Sequence, residues 1–232
     1  MDVRLHYIEK GKGEPLILLH GNGESSDYFI HQLAYFSREY RVIAIDTRGH
    51  GKSERGTAPF TIRQFAEDLR CFMDEHGIEK ANILGFSDGG NIALIFAIQY
   101  PRRVDRLILN GANLNGRGVK ASVQIPIIIG YKVASLFAGK SEKAKQSAQM
   151  LGLMVNDPNL MPEELKKAEA VTLVITGKRD MIKASHTRLI CQSLPRAYLR
   201  IIPGDHFIAN KNPEVFNQVV DKFLKQTGGC GL

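Results

Sequence analysis

The sequence predicts an α/β protein: a three-layer α/β/α sandwich around a mostly parallel central sheet, with a small helical lid. Three observations predict it. Short aliphatic runs alternate along the chain with longer segments of helical spacing. Those runs are apolar on consecutive rather than alternate residues, the pattern of strands buried on both faces. One stretch, 112–170, breaks the alternation and offers only helix-prone segments punctuated by Gly and Pro. A chain of 232 residues, 44% hydrophobic and 24% charged, is sized for one domain with an insertion and can bury a sizeable core.

The elements follow in order. Residues 4–9 read as an edge strand pairing antiparallel, turned by Gly11-Lys12-Gly13. The core strands are expected at 16–19, 42–45, 82–84, 107–109, 171–175 and 199–202. Between them Ile62, Phe65, Ala66, Leu69, Phe72 and Met73 form one apolar stripe at helical spacing. A second helix is expected over 92–100 after a Gly-Gly pair, and a third over 215–224 after Pro213. The predicted body is therefore 1–111 and 171–232, and 112–170 is a helical cap inserted between two strands. An insertion there lies near the carboxyl ends of the strands, where ligands bind in such sheets.

Several classes are excluded. No apolar stretch reaches the roughly 18 residues of a membrane helix; the best, 123–138, contains Pro126, Gly130 and Lys132. The first residues lack a positive flank followed by an apolar run, so no signal peptide is expected. Cys71, Cys191 and Cys230 have no close or metal-type spacing, so free thiols and a reducing, cytoplasmic setting are expected. No metal cluster or dinucleotide fingerprint occurs, and no cofactor or metal is expected. The net charge of +7 comes without aromatic and basic residues interleaved on one element, so nucleic acid is not an expected partner.

The strongest local signal is Gly85-Phe86-Ser87-Asp88-Gly89-Gly90. It follows a strand run and precedes a helix, the context of a nucleophile elbow with the pattern G-x-S-x-G. The glycines lack the β-carbons that would collide in so tight a bend. Ser87 is left at a helix N-terminus that favours developing negative charge. Its partners are expected in the chain order serine, acid, histidine, which leaves His186 and His206. His186 lies inside a helical segment and is expected to be solvated. His206 follows a strand and the turn Pro203-Gly204-Asp205, so it is the candidate base. Asp180 ends the turn after the strand at 171–175 and is the candidate orienting carboxylate. Asp205 and Asp157 read as turn or cap residues. The loop His20-Gly21-Asn22-Gly23 supplies one candidate oxyanion donor, the Asn22 amide, and Asp88 supplies the other. His20 reads as structural, as does the polar loop 46–53, which lacks phosphate-loop spacing. Leu114, Ile125, Ile129, Met150 and Met154 are candidate pocket walls.

Together these segments resemble the α/β-hydrolase fold superfamily: H-G-N-G at 20–23, D-T-R-G-H-G-K-S at 46–53, G-F-S-D-G-G at 85–90, the turn ending at Asp180, and P-G-D-H-F at 203–207. The resemblance implies a mostly parallel sheet, a helical lid and a Ser87–His206–Asp180 triad. A serine at 87 disfavours the dehalogenase and epoxide-hydrolase branches, which carry aspartate there. The S-D-G-G form is similar to that of valacyclovir hydrolase-like esterases, which implies a role for Asp88 in binding a substrate amine. The expected activity is hydrolysis of small-molecule carboxylic esters through an acyl-enzyme on Ser87. Thioesterase, amidase, carbon–carbon bond hydrolase and perhydrolase activities, and a non-enzymatic small-ligand receptor, are the alternatives. The lid is short for the family, and the turn before His206 is about a residue tighter than its common form.

The charge is uneven. Residues 1–110 carry 14 Lys+Arg against 15 Asp+Glu, 111–170 carry 8 against 5, and 171–232 carry 9 against 4. The basic excess therefore lies in the lid and the C-terminal third, where it is expected either to be solvated or to steer anions.

Overall fold

The computed structural model describes residues 2–226. Seven strands form one sheet: β1 (Tyr7–Lys10), β2 (Pro15–Leu19), β3 (Arg41–Ile45), β4 (Ala81–Phe86), β5 (Val104–Asn110), β6 (Val171–Gly177) and β7 (Ala197–Ile202). Their spatial order is β1-β3-β2-β4-β5-β6-β7. Only β1 runs antiparallel, with Tyr7 opposite Ile45; the other neighbours are parallel.

The consecutive apolar runs are explained by burial on both faces. On β2, Ile17 and Leu19 enter one core with Ile43, Ile83, Leu107 and Val174. Leu16 and Leu18 enter the other with Val42, Leu84, Ile108 and Leu173. The first face is covered by α2 (Ile62–Glu75), α3 (Asp88–Gln99) and α6 (Ala184–Ser193), the second by α1 (Ile30–Phe36) and α8 (Pro213–Leu224). Helix α2 starts where the Thr61 hydroxyl accepts the Gln64 N–H at 3.2 Å, a side-chain cap.

The loop after β3 is held from within. Asp46 accepts the amides of Ser26 and Lys52 at 2.6 and 2.9 Å, and the Ser53 hydroxyl donates to its carbonyl. Arg48 is fully buried against Asp68, with Asp2 on its outer side.

Between β5 and β6 the chain makes two long helices packed on each other, α4 (Ala121–Phe137) and α5 (Glu142–Asn156). The two ends of the stretch 112–170 belong to the body: Ala112 and Leu114, and then Leu160, Leu165, Ala168 and Ala170, lie in the core against α3. On α4 the one buried residue is Gln124, while Ile125, Ile129, Val133, Leu136 and Phe137 face outward. Among the described residues, no helix is long and apolar enough to cross a membrane. Cys71 and Cys191 are free thiols; Cys230 lies outside the described residues.

The sheet direction switches between β2 and β4. β3 lies to one side of β2, and β4 with all later strands lies to the other. The crevice at the carboxyl ends of those two strands is where open α/β sheets bind ligands. The loop 20–23 and Ser87 both leave the sheet there.

Candidate active site

Ser87 joins β4 directly to α3 with φ 53° and ψ −118°. A non-glycine residue in that region is strained by about 1–3 kcal/mol. The surroundings fix it: its N–H donates to the Asn110 carbonyl at 2.8 Å, and its carbonyl accepts the Asn91 N–H at 3.0 Å. A β-carbon on Gly89 would stand 2.0 Å from the Leu19 carbonyl oxygen. A glycine there lets the head of α3 press against the end of β2. Neither the Asn22 nor the Asp88 N–H donates to an acceptor among the described residues.

His206 follows β7 and is 3% exposed. Its Nδ1 donates to Asp180 Oδ1 at 2.7 Å, which leaves Nε2 buried without a protein partner among the described residues. Asp180 also accepts the Thr176 hydroxyl and the Ile182 amide, each at 2.9 Å. Burial acts to raise the Asp180 pKa, but the His206 contact and these two bonds together hold it below the usual value. The carboxylate is thus ionised and the imidazole tautomer is fixed, with Nε2 the open nitrogen.

The other sequence candidates fall as follows. Asp88 is buried, with Oδ2 accepting from Asn22 Nδ2 at 2.9 Å and Oδ1 from Asn91 Nδ2 at 3.2 Å. Burial raises its pKa against the pull of those amides. Asn22 Nδ2 also donates to the Met150 carbonyl at 2.9 Å, so the Asn22–Asp88 pair ties α5 to the elbow. Asp157 is half-buried with its pKa pushed up to about 6, first by burial and then by the charge of Asp88. Met150 and Met154 are half-buried and Leu114 is core. Ile125 and Ile129 do not wall a pocket here: they are 55% and 58% exposed. The buried position of that helix belongs to Gln124, whose amide donates to the Met154 carbonyl at 3.2 Å.

His186 is not solvated as its helical setting suggested. It is half-buried, and its Nε2 accepts the Leu114 N–H at 2.9 Å; burial lowers its pKa. His20 is buried: Nε2 accepts the Thr47 amide at 3.0 Å and Nδ1 donates to the Gly21 carbonyl at 2.7 Å. Asp205 pairs with Lys211 and accepts the Phe207 amide.

Sequence reasoning missed Gly111, at φ 66° after β5. A β-carbon there would meet His206 Cε1 at 2.6 Å and Nδ1 at 2.8 Å. The only signal was a glycine directly following a strand end. It also missed Glu24 and Tyr28, which lie beside Phe86 and carry no motif of their own.

A fold with this topology, carrying a serine elbow and a carboxylate-held histidine at the switch point, defines a class. The chain has the α/β-hydrolase fold. The family pattern described as the alpha/beta hydrolase fold matches residues 14–125. A putative carbamate hydrolase, RutD, from Caulobacter sp. (strain K31) is 28% identical over 243 residues, covering 91% of this chain and 90% of the relative. The 3-oxoadipate enol-lactonase 2 of Acinetobacter baylyi is 25% identical over 257 residues, covering 97% and 94%. A solved structure of the meta-cleavage product hydrolase from Pseudomonas fluorescens IP01 is similar, with TM-score 0.77, 25% identity and coverage of 96% and 94%.

Proposed function

We propose that the protein is a serine hydrolase that cleaves small-molecule carboxylic esters through an acyl-enzyme on Ser87. The carrying observation is the buried His206–Asp180 hydrogen bond of 2.7 Å, which leaves Nε2 open beside the strained elbow. In this reading Ser87 Oγ attacks the acyl carbonyl and His206 Nε2 takes its proton. Asp180 keeps Nδ1 protonated and stabilises the imidazolium without taking the proton itself. The amides of Asn22 and Asp88 receive the oxyanion; losing one such donor typically costs about 10²–10³ in turnover. His206 then protonates the leaving alcohol and activates the water that releases the acid. No step needs a cofactor. The segment between β5 and β6 acts as the cap over this centre, and the setting proposed is the cytoplasm.

The enol-lactonase relative supports the ester reading, since a lactone is a cyclic ester. The meta-cleavage relative supports carbon–carbon bond cleavage as a second reading on the same groups. A fluorophosphonate probe tests the shared core: it is expected to label Ser87, with Ser87→Ala losing both label and turnover. Unchanged ester turnover in that variant refutes the mechanism. A 2-hydroxy-6-oxo-dienoate turned over faster than every ester replaces the first reading with the second.

A further inference from the structure

Three polar atoms gather around the Phe86 ring beside Ser87. Glu24 Oε2, Tyr28 OH and His206 Nε2 are all buried, and none has a hydrogen-bond partner among the described residues. Their proximity is geometric. The Tyr28 ring stacks on Phe86 with centroids 4.4 Å apart and planes 4° from parallel. The His206 ring lies 4.9 Å from Phe86. A β-carbon on Gly21 would touch both the Phe86 edge, at 3.0 Å, and Glu24 Oε2, at 3.3 Å. Asn110 sits opposite Phe86 across β4 and β5, and both its amide atoms are also unpartnered.

Unsatisfied buried polar atoms cost about 1–3 kcal/mol each. One beside a reactive serine is the open histidine nitrogen that the mechanism needs. Glu24 and Tyr28 have no place in that mechanism. Tyr28 is only 9% exposed, so solvent does not satisfy its hydroxyl. Resting on the serine-hydrolase reading, we infer that Glu24 and Tyr28 form a subsite for a hydrogen-bond-donating group, a hydroxyl or an ammonium, at the carbon next to the scissile carbonyl.

The chemistry of the donor set selects that class. The charges acting on Tyr28 are Glu24, Asp205 and Asp180, all acidic. A carboxylate or phosphate on the substrate would meet that field unpaired. A hydroxyl or ammonium would donate to Glu24 and contact the Tyr28 oxygen. Placement follows from the chain: Glu24 is two residues beyond Asn22, whose amide faces the carbonyl oxygen in the proposed mechanism. The subsite is accordingly assigned to the acyl side of the substrate. Burial lifts the Glu24 pKa to about 7, so the ionised form that accepts from such a donor gains population as pH rises through about 7.

The test compares three ethyl esters of equal chain length on the full-length protein: propionyl, 2-hydroxypropionyl and 2-aminopropionyl. At least one donor-bearing ester is expected to exceed the propionyl ester by about tenfold in kcat/KM, the factor that 1.4 kcal/mol supplies. The winning arm identifies hydroxyl or ammonium. In Glu24→Gln and in Tyr28→Phe the ratio is expected to fall toward one. A ratio of one in the unaltered protein overturns the subsite, as does a ratio that survives both variants. Should one variant not fold, the ratio in the other decides. Fluorophosphonate labelling separates the failures. Ser87 labelled with a ratio of one removes the subsite alone; no labelling removes the serine-hydrolase reading beneath it.

Discussion

Replacing Gly111 by alanine tests whether the His206–Asp180 geometry carries the activity. Two costs arise. The first is backbone: at φ 66° an L-residue costs roughly 1–2 kcal/mol. The second is contact: the new methyl would lie 2.6 Å from His206 Cε1, 2.8 Å from Nδ1 and 3.5 Å from Asp180 Oδ2. Carbon atoms pack at about 3.5–4.0 Å, so the ring must retreat by about 1 Å, and a misplacement of that size costs about 10²-fold in rate. Gly77 is the control. It has φ 63° with nothing within 4 Å of an added β-carbon, in the turn after α2. Gly77→Ala therefore carries the backbone cost without the contact. The assay pairs urea unfolding with kcat/KM on an ester substrate. Gly111→Ala is expected to lose more stability than Gly77→Ala, by about 1–3 kcal/mol for the added contact, and it alone is expected to lose about two orders of magnitude in kcat/KM. A Gly111→Ala enzyme within about threefold of Gly77→Ala, a barrier change below 1 kcal/mol, refutes the claim that this imidazole position matters.

Two further predictions concern stability. Arg48→Met leaves Asp68, 2% exposed, without its buried guanidinium partner and is expected to cost about 3–5 kcal/mol; a urea midpoint unchanged from the parent contradicts that. His20 has its pKa pushed down to about 4 from 6.5, first by burial and then by His50. The unfolded chain takes that proton near 6.5 while the folded one resists it, so the contribution is full above 6.5 and is lost as pH falls toward 4, by up to about 3 kcal/mol. The stability advantage over His20→Gln should therefore narrow across that window, and a constant difference between pH 7 and pH 4.5 counts against a neutral buried imidazole.

Much of the fold was legible because a parallel strand covered on both faces announces itself. Residues 16–19 and 42–45 are apolar on every residue, and the two cores take alternate members of each run. Candidate groups at strand ends were legible for a related reason: Ser87, Asp180 and His206 each follow a recognisable strand and turn. What depended on tertiary neighbours was not. Helix α4 is apolar on nearly all sides, so periodicity could not say that Gln124 faces in and Ile125 and Ile129 face out. The setting of His186 depends on a partner 72 residues away, the Leu114 amide. Glu24 and Tyr28 are ordinary polar residues until the stacking of Tyr28 on Phe86 places them beside His206.

The net charge of +7 and the groups around Ser87 pull in opposite directions, and burial decides between them. The basic excess sits on exposed side chains such as Lys132, Lys140, Lys143, Lys178 and Lys222. Others are paired at the surface, Lys145 with Glu142, Lys211 with Asp205 and Lys225 with Glu39. Exposed charges more than about 10 Å apart are largely screened at 0.1 M salt. Around the elbow stand four carboxyl groups, Asp88 and Asp180 buried and Glu24 and Asp157 half-buried, with the Lys120 ammonium donating to the Asp180 carbonyl at 2.6 Å. Screening reaches those poorly, so each acts at close range with a larger effect per charge. The outer lysines can raise the encounter rate with an anion at low salt, but what stays beside the serine is chosen by the inner carboxyl groups. A substrate bearing a donor next to its carbonyl satisfies Glu24 and Tyr28, whereas one bearing a second carboxylate there is drawn to the surface and opposed at the site.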